Sequence, residues 1–172
     1  ELISPKEKME LLKHYVYSVI IQHEDMHTKN LSLIYDKDLV FFAPLYDVSC
    51  TGIYDTSKGY ESHLTINGKQ SNIRPNDFKA LCKILKIDFK EFKEESFKIA
   101  KLYETELPSY IEEIKALGSI SFYKKKQKAR IGEGAYLKVS KIPIEFHELL
   151  SKFHKERVEH LKALGWIINE SL

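Results

Sequence analysis

Asp25, Lys29, Asn30 and Asp47 are the residues whose types, order and spacing could do chemistry together. Phosphoryl transfer needs a carboxylate beside the attacking hydroxyl, donors and cations around the phosphates, and oxygen ligands that hold Mg²⁺ against them. Asp25 and Asn30 stand at the interval of the aspartate and asparagine in the kinase catalytic loop His-Arg-Asp-x-x-x-x-Asn. Such a loop puts one side chain at the acceptor hydroxyl while its next turn returns an amide oxygen to the metal. Lys29 is placed to meet a phosphate, and Asp47 follows a predicted hairpin, where a kinase carries its second metal-binding aspartate. A lone Asp or Asn in a loop is more often a turn former than a ligand. The combination in this order carries the reading: Asp25 as base, Asn30 and Asp47 as magnesium ligands.

Rival chemistries share the segment. His23-Glu24-Asp25-Met26-His27 satisfies His-Glu-x-x-His, in which two histidines one helical turn apart hold zinc and the glutamate activates water, as in a metalloprotease. Glu61 or His63 would supply the third ligand. That reading needs a helix continuing through both histidines, whereas Thr28-Lys29-Asn30 and the β-type run after it predict that the helix has ended, and it leaves Asn30 and Asp47 unused. A non-enzymatic class is a catalytically lapsed helical interaction module. Ile131-Gly132-Glu133-Gly134-Ala135-Tyr136 opens like a phosphate-covering Gly-rich loop, but Leu137 stands where the third glycine belongs and the order is wrong, so it reads as a flexible loop. The other five histidines (His14, His63, His147, His154, His160) suggest no metal cluster, and His147 and His154 read as flanking a packed helix face.

Several elements must position these residues. Ser4-Pro5-Lys6-Glu7 is an N-cap serine, a proline preset for the first turn, and a glutamate able to reach back to the cap's amide. Met9, Leu12, Val16, Val19 and Ile20 then recur at helical spacing to about Ile21, delivering the chain into the motif. Leu31 to Tyr35 and Leu39 to Phe42 are strand-like around Asp36-Lys37-Asp38, which is hairpin chemistry, and Pro44 ends the second strand. Residues 48–68 read as irregular chain or short strands walling the site. From Pro75 the pattern is helical. Phe78, Leu81, Cys82 and Leu85 make one apolar stripe, and Phe89, Phe92, Phe97, Ala100 and Leu102 contribute to a second. Pro108 is expected to break that helix and Gly118 to end it. Tyr123 to Arg130 reads as a solvated basic loop, and Ile144 to Leu164 as a last helix stopped by Gly165.

At 172 residues, one core and one domain are expected. With 43% hydrophobic and 30% charged residues, and no apolar run near the ~20 needed to cross a bilayer, the composition is that of an ordinary globular protein. A net charge of +2 gives no strong nucleic-acid signal. Cys50 and Cys82 lack metal-type spacing and fit a reducing compartment. The chain starts at Glu1 without a leader pattern, which suggests the C-terminal piece of something longer.

Gln22-His23-Glu24-Asp25-Met26-His27-Thr28-Lys29-Asn30-Leu31-Ser32-Leu33, followed by Ala43-Pro44-Leu45-Tyr46-Asp47, resembles the C-terminal signature of the HipA-like toxin kinases, Gly-Asn-x-Asp-x-His-x-Lys-Asn-x-Ser-Leu and then a-Pro-x-Tyr-Asp. Leu64 to Lys69 and Arg74 to Phe78 are similar to the family's continuation. Beyond about residue 90 only the helical character agrees. The departure is Gln22-His23 in place of Gly-Asn, where losing the glycine is expected to alter the loop's backbone. The resemblance implies a mainly α, α+β fold, the helical C-terminal lobe of a kinase with a small β-hairpin at its site. It implies Asp25 and Lys29 in catalysis, with His27, Thr28, Lys29, Asn30, Tyr46 and Asp47 lining an ATP and Mg²⁺ site. It further implies a bacterial cytoplasmic serine/threonine kinase toxin, an antitoxin partner that often binds DNA, and protein substrates such as an aminoacyl-tRNA synthetase. The Gly-rich loop and lysine of the N-terminal lobe are expected on another chain or fragment, so this chain alone is an incomplete kinase.

Overall fold

Ser4 accepts the Glu7 N–H at 3.2 Å, Pro5 presets the first turn, and α1 runs Pro5–Ile21 as its caps predict. Glu7 differs from expectation. Its carboxylate accepts the Phe42 N–H at 2.7 Å, so it ties the hairpin to α1. In this computed structural model residues 3–37, 39–54, 57–118, 121–126 and 140–168 are described, the stretches 121–126 and 140–143 by backbone alone.

After the site loop, β1 (Leu33–Asp36) and β2 (Leu39–Phe42) pair antiparallel with Leu33 opposite Phe42. β1 starts two residues late because a 3₁₀ turn over Thr28–Asn30 occupies the approach. Irregular chain with a short 3₁₀ turn at Thr51–Ile53 follows, as expected. A further 3₁₀ turn at Pro75–Phe78 leads into α2 (Lys79–Leu85) and then α3 (Phe89–Ala116), which Asp88 caps through the Glu91 N–H at 2.9 Å.

Pro108 does not break α3; it lies inside it. The position is exposed, where water can take over the hydrogen bond that proline forfeits. Leu102 likewise leaves the expected stripe and is solvent-facing, while Phe92 and Ala100 are buried. Half of the expected basic loop is a strand. β3 (Ser121–Lys126) pairs antiparallel with β4 (Ser140–Glu145), and residues 127–130 and the Gly-rich stretch Ile131 to Leu137 lie outside the described residues. β4 leads directly into α4 (Phe146–Leu164), which Gly165 ends at a φ of 81°.

The chain is thus mainly helical, with small antiparallel β-pairs. Met9, Leu12, Val16, Val19 and Ile20 of α1 meet Phe78 and Cys82, Phe92 and Ala100 of α3, and Val158, Leu161 and Leu164 of α4 in one core. Phe78 stacks on Phe92 at 5.1 Å and meets Trp166 edge-on at 5.9 Å, and Trp166 donates its indole N–H to the Ile73 carbonyl at 2.7 Å. His154 is buried with its Nε2 3.0 Å from the Tyr103 carbonyl, consistent with a packed face on α4. None of the described helices is long and apolar enough to cross a membrane.

Candidate active site at the end of the first helix

α1 ends in a Schellman arrangement, which fixes where the motif begins. Gln22 turns left-handed (φ 57°, ψ 57°), its N–H returns to Val19 O, and the His23 N–H reaches Ser18 O at 2.9 Å. Glycine serves this position without strain, and a side chain here costs roughly 1–2 kcal/mol. Glutamine here takes the left-handed conformation that suits glycine. Gly52 makes room for it, since a Cβ there would stand 2.7 Å from Gln22 Oε1 and 2.5 Å from Phe153.

Two carbonyls at the end of α1 are bound by α4. Arg157 donates from Nε to Ile20 O at 2.9 Å and from Nη2 to Val19 O, and its Nη1 meets Glu61 Oε1 at 2.7 Å. Glu61 also accepts from the Ile73 N–H at 2.7 Å and lies 3.1 Å from His160 Nε2. Arg157 is 5% exposed and Glu61 2%, so this ion pair is desolvated and stands on its full set of hydrogen bonds. Next to Glu61, Ser62 pairs in parallel with His23. Nothing in the sequence links Arg157 to the motif, since more than a hundred residues separate them, and the sequence offers Glu61 only as a zinc ligand.

On this base the loop is tightly wound. The buried Asn30 donates its side-chain N–H to the Asp25 carbonyl at 3.3 Å, while its backbone N–H reaches His27 O at 3.0 Å. Asp25 itself faces outward, its side chain 65% exposed and its Oδ1 3.9 Å from His27 Nε2. Thr28 and Lys29 are exposed. The Tyr46 hydroxyl donates to the Lys29 carbonyl at 2.7 Å and lies 2.8 Å from Ser32 Oγ, so the arm returning from the hairpin is fastened to the loop one residue before Asp47. Asp47 is exposed and left-handed, with a φ of 52°.

Beneath these groups His23 is fully buried, and burial pulls its pKa below the ordinary imidazole value. The Asp25 and Asp47 carboxylates both oppose that shift, although 21 residues of chain stand between them. Neither nitrogen of that ring makes a hydrogen bond of good geometry among the described residues.

The zinc-protease arrangement does not form. The helix has ended at Ile21, so His23 and His27 are not successive turns of one helix face. Glu24, which would activate water, has its carboxylate occupied by Ser57 Oγ and by the N–H groups of Lys58, Gly59 and Tyr60 at 2.7–3.0 Å. His63 does lie against His27, with ring centroids 5.8 Å apart, but Glu61 is committed to Arg157. Among the described residues no three His, Cys, Asp or Glu side chains are grouped to hold a metal ion.

A magnesium nucleotide asks for a different donor set. The Asn30 amide oxygen and the exposed Asp47 carboxylate are hard oxygen donors of the kind that would suit Mg²⁺, and the Asn30 nitrogen is already spent on the loop. No curated protein matches the chain. The family model of the HipA-like C-terminal domain matches residues 2–119, which takes in α1, the loop, the hairpin and α3 while leaving Arg157 outside. This chain belongs to the HipA-like C-terminal domain family, a family of toxin–antitoxin systems.

Proposed function

We propose that the chain is the catalytic portion of an ATP-dependent serine/threonine protein kinase, completed by an N-terminal lobe carrying the phosphate-covering loop and its lysine. The observation that carries this reading is the bond from Asn30 to the Asp25 carbonyl together with the Tyr46 tie to Lys29, because these two bonds gather an acid, an amide oxygen and a second acid on one loop. When bound, Mg²⁺-ATP supplies the phosphoryl group: the acceptor oxygen bonds the γ-phosphorus as the bond to the ADP oxygen breaks. Asp25, outward-facing, orients the acceptor hydroxyl and takes its proton. Lys29 would set a positive charge beside the transferred group, and Asn30 and Asp47 would hold the metal. His27 and Thr28 shape the loop between them, and Tyr46 keeps Asp47 in place.

We further propose a toxin role, a cytoplasmic site of action, an antitoxin partner that often binds DNA, and protein substrates such as an aminoacyl-tRNA synthetase; family membership supports the toxin–antitoxin setting. The test is transfer of radiolabelled γ-phosphate by the full assembly, with Asp25→Ala and Asp47→Ala beside the wild type. Labelling that depends on both aspartates is the expected result. Labelling undiminished in both variants overturns the assignment.

A further inference from the structure

Asp25 has a second neighbourhood that none of the nucleotide-side residues shares. A pocket of about 420 Å³ is lined by Asp25, Thr51, Tyr54, Tyr60, His63 and Gln70 among others, and Lys29, Asn30, Tyr46 and Asp47 do not border it. Its volume is in the range that holds a small ligand or a few side chains. Tyr54 and Tyr60 are large aromatic groups left partly exposed at its wall. Pockets of this kind combine aromatic faces with a few oriented polar groups, and Asp25 is the one residue common to the pocket and the proposed catalytic set.

The wall is fastened to the residue just before Asp25. Glu24 Oε1 accepts from Ser57 Oγ, from the Gly59 N–H at 2.7 Å and from the Tyr60 N–H at 3.0 Å, and Oε2 accepts from the Lys58 N–H at 3.0 Å. Thr51 closes the other end, donating to Gln22 O at 2.7 Å and accepting the Glu24 N–H at 2.8 Å. Burial raises the Glu24 carboxyl, but the bonds from Ser57, Lys58, Gly59 and Tyr60 outweigh it and hold the pKa below the usual glutamate value. A carboxylate spent on four donors has no capacity left for chemistry; its work is to set where residues 57–60 lie relative to Asp25.

We propose that this pocket is the acceptor site, which takes a Ser or Thr side chain of an extended protein segment between the tyrosine faces, and that Glu24 is the positioning residue that latches its wall to the catalytic aspartate. The proposal rests on the kinase reading above. It assigns the two sides of Asp25 separately, nucleotide toward Asn30 and Asp47, acceptor toward Tyr54 and Tyr60.

The test uses the full-length protein with its N-terminal lobe, radiolabelled ATP and dephosphorylated casein as the probe acceptor, comparing wild type with Glu24→Gln and Tyr60→Ala. The expected result is a rise of about tenfold in KM for casein in each variant, with KM for ATP within about twofold of wild type. In Glu24→Gln, hydrogen exchange at the amides of Lys58, Gly59 and Tyr60 is expected to accelerate. A purely structural role for Glu24 would instead lower kcat or raise both KM values together. Should the wild type label casein while both variants keep its KM for casein, the acceptor site is overturned and the kinase reading stands. If the wild type labels no casein and does not label itself, both fall. Tyr60→Ala removes a ring at the wall without touching Glu24, so it decides the matter even if Glu24→Gln does not fold.

Discussion

The two sides of the loop at residues 22–30 are built differently. On the inner side nearly every polar group has a partner: Arg157 covers the Val19 and Ile20 carbonyls, Glu61 accepts from Arg157 and Ile73, and Asn30 closes on Asp25. On the outer side Asp25, Lys29 and Asp47 are exposed, and the hairpin leaves Leu33, Ile34, Tyr35 and Leu39 in solvent. The difference separates support from chemistry. A satisfied, desolvated base holds the loop, and the groups free to meet a ligand stand on it. The loop's histidines are the exceptions, with both ring nitrogens of His23 and Nδ1 of His27 buried without a hydrogen bond of good geometry among the described residues.

The separation breaks first at Asp25. Asp25→Ala is expected to lower phosphoryl transfer by about 10²–10⁴-fold while leaving the melting temperature unchanged, measured by labelling and by thermal denaturation of the same preparation. Arg157→Ala should do the reverse at the outset. Removing the cation from buried Glu61 and the side-chain donors from two carbonyls is expected to cost about 3–5 kcal/mol, a fall of about 10 °C in Tm, read by calorimetry. A full Tm for Arg157→Ala would show that the base is not what supports the loop.

Tyr46→Phe probes the seam between the two sides. Losing the hydroxyl's bond to Lys29 O should cost about 0.5–1.5 kcal/mol and raise KM for ATP more than KM for an acceptor, because Asp47 moves and Asp25 does not. An unchanged KM for ATP would detach Asp47 from Tyr46's control.

The smallest effect expected is the pH dependence of stability. Burial depresses the pKa of His23, His14 and His154, so below about pH 6.5 the unfolded chain binds protons that the folded chain refuses. Stability is then expected to decline as pH falls from 6.5 toward those lower values. Glu24 and Asp77, whose pKa values also lie below their ordinary ones, add a loss only further down, below pH 4.5 and 3.8 respectively. Melts between pH 7 and 5 check the first window, and a flatter profile in His23→Gln would place part of it under the site.

Much of this arrangement was legible in the sequence because it is local. Ser4 and Pro5 start α1 and Gly165 stops α4, since caps act within a turn. The hairpin followed from two β-type runs around Asp36-Lys37-Asp38. Local rules failed where context supplied the missing hydrogen bond or its substitute. Pro108 sits in a helix because its position is exposed, Glu7 serves Phe42, and Gln22 takes a glycine's backbone because Gly52 yields the space. Residues 121–126 form a strand because β4 offers a ladder that charge patterning does not reveal.

What the sequence determined by itself was the order of the chemistry-bearing residues and the elements that carry them, both set by contacts within a few residues. The tertiary structure alone decided which chemistry remains open. It spends Glu24 on residues 57–60, Glu61 on Arg157 and the Asn30 nitrogen on Asp25. It leaves the Asp25 and Asp47 carboxylates facing water. The reason is that a polar group buried by folding must find a partner wherever the chain brings one, and sequence distance puts no limit on where that partner lies.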